Sequence, residues 1–268
     1  MVEWIWRYPL KSAQGEPVAS AFFGTAGPDG DRSWACVSAD GTVVSAKNPR
    51  RWGRTLYVTA TAGDGEVVIR VPDREPLTAG TAQADEALSA WLGERVRLTR
   101  DVPPRPRLHR LWPAEPGMIP EWADAAGAGE EQITEIAGAV PGGRFVDFAA
   151  VHLVTTGALD ALKREGAPAD VRRLRPNLVL SLDREPAADD HIQVGRDVTL
   201  RVLVPTPRCA IPAAAQPGLG YAPGVLRAIG RHRTLIPGRG LAACFGSYAR
   251  VLSTGNVAVG DPARIAAW

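Results

Sequence analysis

A chain of 268 residues, 45% hydrophobic and 22% charged with a net charge of +2, has an ordinary globular composition and room for one large or two modest cores. No apolar run approaches the roughly 20 residues of a membrane span, residues 1–9 lack the basic start of a signal peptide, and scattered arginines with 6% aromatic residues give no nucleic-acid signature. Three well-separated cysteines, Cys36, Cys209 and Cys244, argue against a disulfide scaffold and for a reducing, cytoplasmic setting.

In chain order, residues 2–8 read as a first strand ended by Pro9, and residues 18–23 as a second. Residues 33–38 and 42–45 flank Asp40-Gly41, and residues 56–61 and 66–71 flank Gly63-Asp64-Gly65, so two hairpins are expected. Residues 85–92 carry Leu88, Trp91 and Leu92 at helical spacing behind Asp85 as a possible cap. A strand over 95–99 closes a first domain, 1–100, built as a small barrel or closed sheet. Residues 101–143 are rich in proline, alanine and glycine and read as a linker or lid, with one acidic helix near 130–136. Trp112, Met118 and Trp122 in this stretch are expected to pack between domains. The second domain, 101–268, predicts strands over 145–154, 178–182 and 198–204, and helices over 158–165 and 223–232. A helical turn is expected over 169–173 and a hairpin of 248–252 with 256–259. Strands outnumber short helices, so the fold class is mainly β, two barrel-like domains with a few helices (α+β).

The chemistry gathers around Cys209. The run 198–204 ends at Pro205 and Pro207, which cannot donate to a ladder and so should release the chain from the sheet. That exit presents a thiol beside Arg208, where the thiolate is favoured as nucleophile or soft metal ligand. A small buried hydrophobe is the alternative. Arg173, Arg175 and Asn177 alternate, so an extended chain would turn all three to one face and offer forked donors to a phosphate or polyoxo anion. A charged edge strand is the alternative there. Lysine occurs only at 11, 47 and 163, so an anion site would be mostly arginine. Lys11 and Ser12 follow the first strand, and Asp31 and Arg32 leave a glycine-rich turn. Thr155 and Thr156 join a strand to a helix, a common anion seat. His152 is a candidate acid or base, or simply a packed strand residue. Tyr248 is read either as a cofactor contact or as a half-buried strand tyrosine.

Five separated segments carry a resemblance: Tyr8-Pro9-Leu10-Lys11-Ser12, Gly30-Asp31-Arg32, Arg173-Leu174-Arg175-Pro176-Asn177, Pro205-Thr206-Pro207-Arg208-Cys209-Ala210-Ile211 and Phe245-Gly246-Ser247-Tyr248. In this order they resemble the MOSC proteins, named for the molybdenum cofactor sulfurase C-terminal domain, preceded by their N-terminal β-barrel domain. The resemblance implies a molybdenum cofactor, Mo-molybdopterin, with Cys209 as metal ligand and catalytic centre. It implies a cradle of Lys11, Ser12, Arg32, Thr155, Thr156, Arg173, Arg175, Asn177, Arg208 and Tyr248. The reaction implied is two-electron reduction of N-hydroxylated small molecules, as in the amidoxime reducing component, or of an S-oxide. A sulfur carrier bearing a persulfide on Cys209, or a cofactor carrier, is the alternative; no pyridoxal-phosphate desulfurase motif is present. Where many relatives have a Thr-Asp-Pro-x-Thr-Gly-like segment, residues 213–220 lack its hydroxyls and carboxylate, which bears on substrate preference. No flavin or nicotinamide fingerprint and no four-cysteine set is found, so electrons are expected from a separate ferredoxin or flavoprotein reductase.

Overall fold

Alternating apolar residues place the strands, and long-range pairing decides which strands meet. The computed structural model describes residues 1–63, 65–123, 125–136 and 143–266. Strands hold 39% of the chain and helices 19%, so the fold is mainly β. The dominant sheet runs Ala263–Ala266, His191–Val194, Val198–Pro207, Gly240–Ser253, Val151–Thr155, Leu178–Leu180, Val2–Arg7 and Glu16–Val18, with Arg233–Ile236 paired to Gly240–Ser253. Among the described strands of this sheet only Val151–Thr155 and Leu178–Leu180 pair in parallel, and the helices Thr156–Arg164 and Val171–Leu174 lie on the crossover between them.

The two halves of the chain are interlocked. Val2–Arg7, the first strand, pairs with its sequence neighbour Glu16–Val18 on one edge and with the distant Leu178–Leu180 on the other. Ser20–Gly24 pairs with Gly255–Ala258 near the other end of the chain. Val2, Ile5 and Phe23 therefore belong to the same apolar core as Leu153, Leu178, Val202 and Val257. A second core, including Leu10, Trp52, Ile69, Leu88 and Leu98, lies within the first half. It is bounded by the pair Ala35–Ser38 with Val96–Thr99 and the hairpin Thr59–Gly63 with Glu66–Arg70.

Several expectations are corrected. The helix expected from Asp85 begins at Ala82, capped by the Thr81 hydroxyl, which accepts from the Ala84 N–H at 3.3 Å. Asp85 accepts instead from Leu98 N–H at 2.7 Å and ties the helix to the sheet. The hairpin across Asp40-Gly41 is shorter than expected: Val37 and Val43 form a single antiparallel bridge, with Ser38 N–H donating to the Thr42 carbonyl and Val44 N–H to that of Cys36, both at 2.9 Å, and Val43 also bridges Leu108. The tip of the Thr59–Gly63 hairpin includes Asp64, which lies outside the described residues. The acidic helix expected near 130–136 is the strand Glu131–Glu135, paired with Arg107–Leu111. Ile133 and Thr134 are β-branched and suit a ladder, so the available partner overrides the helical reading. Finally, residues 248–252 and 256–259 form no hairpin with each other. Gly255–Ala258 crosses to Ser20–Gly24, because Val257 buries its side chain in the shared core there.

Candidate functional site

The strand Val198–Pro207 runs three residues past the expected stop at Val204 and straight through Pro205 and Pro207. Its register is irregular between Val202 and Val204 and again between Pro205 and Pro207. Pro205 and Pro207 stand opposite Ser247 and Cys244 on either side of the second irregularity, each paired without an N–H of its own to donate. Pairing resumes when Arg208 N–H donates to the Ala243 carbonyl at 2.9 Å, and the chain then turns through Ile211–Ala213. Cys209 sits in that turn, half-buried. It packs against Ala46 and Leu56 from the first half and Ile211 and Ala214 from the second. The thiol thus stands on the seam.

A small cavity of about 90 Å³ opens there, and it collects Lys11, Ser12, Arg32, Arg175, Asn177, Arg208, Cys209 and Tyr248. Three of these positions rest on unusual backbone. Among the described residues only Ser12, Arg32, Asp73, Arg175 and Asp189 combine a side chain with positive φ, and the first, second and fourth line the cavity. Such conformations cost about 1–2 kcal/mol each for non-glycine residues and persist only where the surroundings impose them.

Hydrogen bonds fix the cradle. Arg32 donates to Asn177 Oδ1 at 3.0 Å and to the Arg175 carbonyl at 3.2 Å, and it is ion-paired with buried Asp31. Asn177 Oδ1 also accepts from His152 N–H at 3.1 Å. The guanidinium carbons of Arg32 and Arg175 lie 4.5 and 4.4 Å from the centroid of the Tyr8 ring. Arg208 donates to the Leu174 carbonyl at 2.9 Å and approaches His152 Nε2 at 3.4 Å. A guanidinium only donates, so Nε2 is the acceptor and Nδ1 carries the proton, facing the Arg175 carbonyl at 3.3 Å. Burial and then Arg208 hold His152 well below its ordinary pKa. His152 is therefore a neutral spacer in a cationic wall.

Unmet donors remain in that wall. Arg175 Nη1, Arg208 Nε and the Tyr8 hydroxyl are buried with no hydrogen-bond partner. Burial pushes the Arg175 guanidinium down to about 10, with Arg32 adding to the effect, and pushes the Tyr8 hydroxyl up to about 12. Both shifts come first from burial: the guanidinium holds its charge away from solvent, and the phenol stays neutral beside it.

Three residues of the expected cradle lie elsewhere. The alternation argument fails because residues 173–177 are not extended: Val171–Leu174 is a helical turn and Arg175 its left-handed cap. Arg173 leaves on another side and staples the turn after Cys209, donating to the carbonyls of Pro212, Ala214 and Gly220 at 3.1, 3.2 and 2.7 Å. Thr155 caps the helix Thr156–Arg164 through the Ala158 N–H, and its own N–H and hydroxyl go to Glu185 at 3.2 and 3.3 Å. Neither Thr155 nor Thr156 lines the cavity. Burial pushes Glu185 up to about 7 despite the hydrogen bonds from Thr155 and Ser247.

Sequence reasoning missed Lys47 and Asp147. Lys11 and Lys47 both close on Asp147, at 2.8 and 3.1 Å, and Lys11 also donates to the Phe145 carbonyl at 2.9 Å. Burial alone would raise the Asp147 carboxyl, but the two ammonium groups outweigh it and hold it well below the usual range. Burial pushes Lys47 down to about 8 against the pull of Asp147. One signal was available: in a chain that uses arginine almost throughout, two of the three lysines are in this site.

Beside the cysteine cavity lies a chamber of about 590 Å³, and Lys47, Arg110, Asp147, Pro207, Arg208 and Tyr248 line both. Trp112, Met118 and Trp122, expected to pack between domains, line this chamber. The connection between the halves is thus a wall of the site.

Fold and site together define a two-part β protein with a thiol and a cation-rich cavity on the seam. Comparison with known families matches residues 1–98 to the MOSC N-terminal beta barrel domain and residues 142–264 to the MOSC domain. The chain is a MOSC-domain protein, and that family is associated with molybdenum cofactor binding or sulfurase-like function. Among solved structures it is similar to the YuaD protein of Bacillus subtilis, at 12% identity and TM-score 0.45, covering 98% of this chain and 92% of that one. It is also similar to YiiM from Geobacillus stearothermophilus, at 19% identity and TM-score 0.33, covering 59% and 75%. Comparison with curated proteins gives no significant match.

Proposed function

We propose that this chain binds a molybdenum cofactor at the seam and reduces N-hydroxylated or S-oxide small molecules. The observation that carries the reading is the convergence of the Cys209 thiol with buried, unpartnered donors on Arg175 and Arg208 in one cavity. Such donors fit an anionic, polar cofactor, since a buried guanidinium N–H without a partner is costly and an incoming oxyanion satisfies it. Among the described residues no group of three or more His, Cys, Asp or Glu side chains could hold a metal. Cys209 would be the protein's ligand, a soft donor suited to a thiophilic metal. Arg32, Arg175, Asn177 and Arg208 would hold the cofactor's polar atoms, with Lys11 and Ser12 at the first-half wall. When bound, the molybdenum centre supplies two-electron oxygen-atom transfer.

The protein's own residues handle charge and protons. Reducing an N–OH group breaks the N–O bond, takes up two electrons and two protons, and releases the amine and water. Lys47, near 8 and lining both cavities, holds a proton at Nζ where the released oxygen needs one. The electrons come from an outside donor protein, a ferredoxin or flavoprotein reductase, because the sequence carries no redox-cofactor fingerprint of its own. The test is metal analysis of the purified protein followed by turnover of benzamidoxime and of an aryl methyl sulfoxide with reduced viologen. Molybdenum-loaded protein that turns over with viologen but not with NADH or NADPH alone supports the reading. Loaded protein inert to both substrate classes overturns it in favour of a sulfur or cofactor carrier.

A further inference from the structure

The larger chamber has a chemistry of its own away from the cysteine. Trp122 and Phe148 line it, and Trp122 is 39% exposed although it faces a cavity. Arg239, on the turn between Arg233–Ile236 and Gly240–Ser253, reaches over both rings: its guanidinium carbon lies 5.9 Å from each centroid. Among the described residues Arg239 has no carboxylate partner, whereas both carboxylates of the lining are already held. Asp147 is held by Lys11 and Lys47, and Glu135 by Arg105. A cation resting on ring faces is retained only weakly, and a carboxylate offering a forked hydrogen bond would displace that contact. The volume, about 590 Å³, is that of a drug-sized ligand site.

We propose that this chamber takes an aromatic ring bearing a carboxylate, the ring against Trp122 and Phe148 and the carboxylate on Arg239. Arg239 lines the chamber alone, while Arg208 and Tyr248 also line the Cys209 cavity. A ligand anchored at Arg239 therefore presents its opposite end to the cysteine. On the reductase reading, which this assignment extends, the substrates are aromatic acids carrying their N–O or S–O group remote from the carboxylate. Binding itself needs no metal and no turnover.

The experiment is equilibrium binding of 2-naphthoate to the purified full chain, read by tryptophan fluorescence and calorimetry. Two comparison ligands are used: 2-naphthalenemethanol, aromatic but neutral, and cyclohexanecarboxylate, anionic but not aromatic. Naphthoate should bind at least about tenfold more tightly than either, the factor expected for one charge-assisted hydrogen bond. Added salt should weaken naphthoate and leave the alcohol unchanged, which needs no variant. Arg239→Gln should cost naphthoate about tenfold and spare the alcohol, while Trp122→Leu should weaken both aromatic ligands. Equal affinity for naphthoate and its alcohol, or an Arg239→Gln variant that binds naphthoate normally, overturns the assignment. Naphthoate selectivity in a protein inert to viologen-driven reduction would leave this site standing and remove the reductase reading. Active reductase without the selectivity would do the reverse.

Discussion

At the scale of single residues, Cys209 and Glu185 make opposite predictions. Cys209 is half-buried with Ala46, Leu56, Ile211 and Ala214 around it, so serine fits the space without a void. Cys209→Ser should keep the thermal midpoint and abolish molybdenum-dependent turnover, because a hydroxyl is a poor ligand for a soft metal. Full activity in that variant would remove the thiol from the chemistry. Glu185 touches no part of the cavity, yet its carboxyl is raised to about 7 by burial. Its folded value lies above the unfolded one, near 4.5. Stability from this group is fully present below pH about 4.5 and is lost as pH rises through 7. The loss is on the order of 3 kcal/mol. Urea unfolding between pH 4.5 and 8 should show it, and Glu185→Gln should flatten the profile. A variant with the parent's pH dependence would contradict the assignment.

At the scale of elements, the helical turn Val171–Leu174 separates two arginines that the sequence pairs. Arg173 serves three carbonyls of the turn that carries Cys209, whereas Arg175 keeps an unused donor facing the cavity wall. Arg173→Ala should therefore lower stability by about 2–4 kcal/mol, since buried acceptors lose a charged donor. Arg175→Ala should leave the metal-free protein no less stable and weaken cofactor retention by about one to two decades. Unfolding midpoints and copurifying molybdenum, measured on both, tell these apart; equal losses of cofactor at equal stability would return Arg173 to the cradle. The same turn shows what the sequence hides. Pro176 does bias Arg175 away from the right-handed helix and toward extended backbone, but the packing around Leu174 overrides that bias and holds Arg175 left-handed. Strand positions such as residues 2–7 and 66–70 were legible because side-chain alternation and β-branching are local properties, whereas of the strand expected over 145–154 only the part from Val151 is one. Glu131–Glu135 was not, since its acidic composition says helix and only Arg107–Leu111, twenty residues away, says strand. Lys47 was equally hidden, its role depending on Asp147, a hundred positions on.

At the scale of the whole molecule, the crossings of Val2–Arg7 and Ser20–Gly24 into the far sheet make the two halves mutually dependent. Residues 101–268 expressed alone would lack Val2, Ile5 and Phe23 from the main core and would expose the edges of Leu178–Leu180 and Gly255–Ala258. Open edges and missing core side chains favour aggregation. That fragment should show no cooperative unfolding, and the full chain should unfold in a single transition by both circular dichroism and tryptophan fluorescence. A folded, cooperative fragment would show that the crossings are dispensable.

The pairing of Lys11 and Lys47 across Asp147 also reaches into how the protein answers reagents. Their side chains are 6% and 10% exposed, while Lys163 is 62% exposed on its helix. Apart from the terminal amine, an acylating reagent therefore finds one ready target in the whole native chain. Lys47 also lines the chamber of about 590 Å³, so a second acyl group would report entry of the reagent there and a third its passage to Lys11, both readable by mass alone.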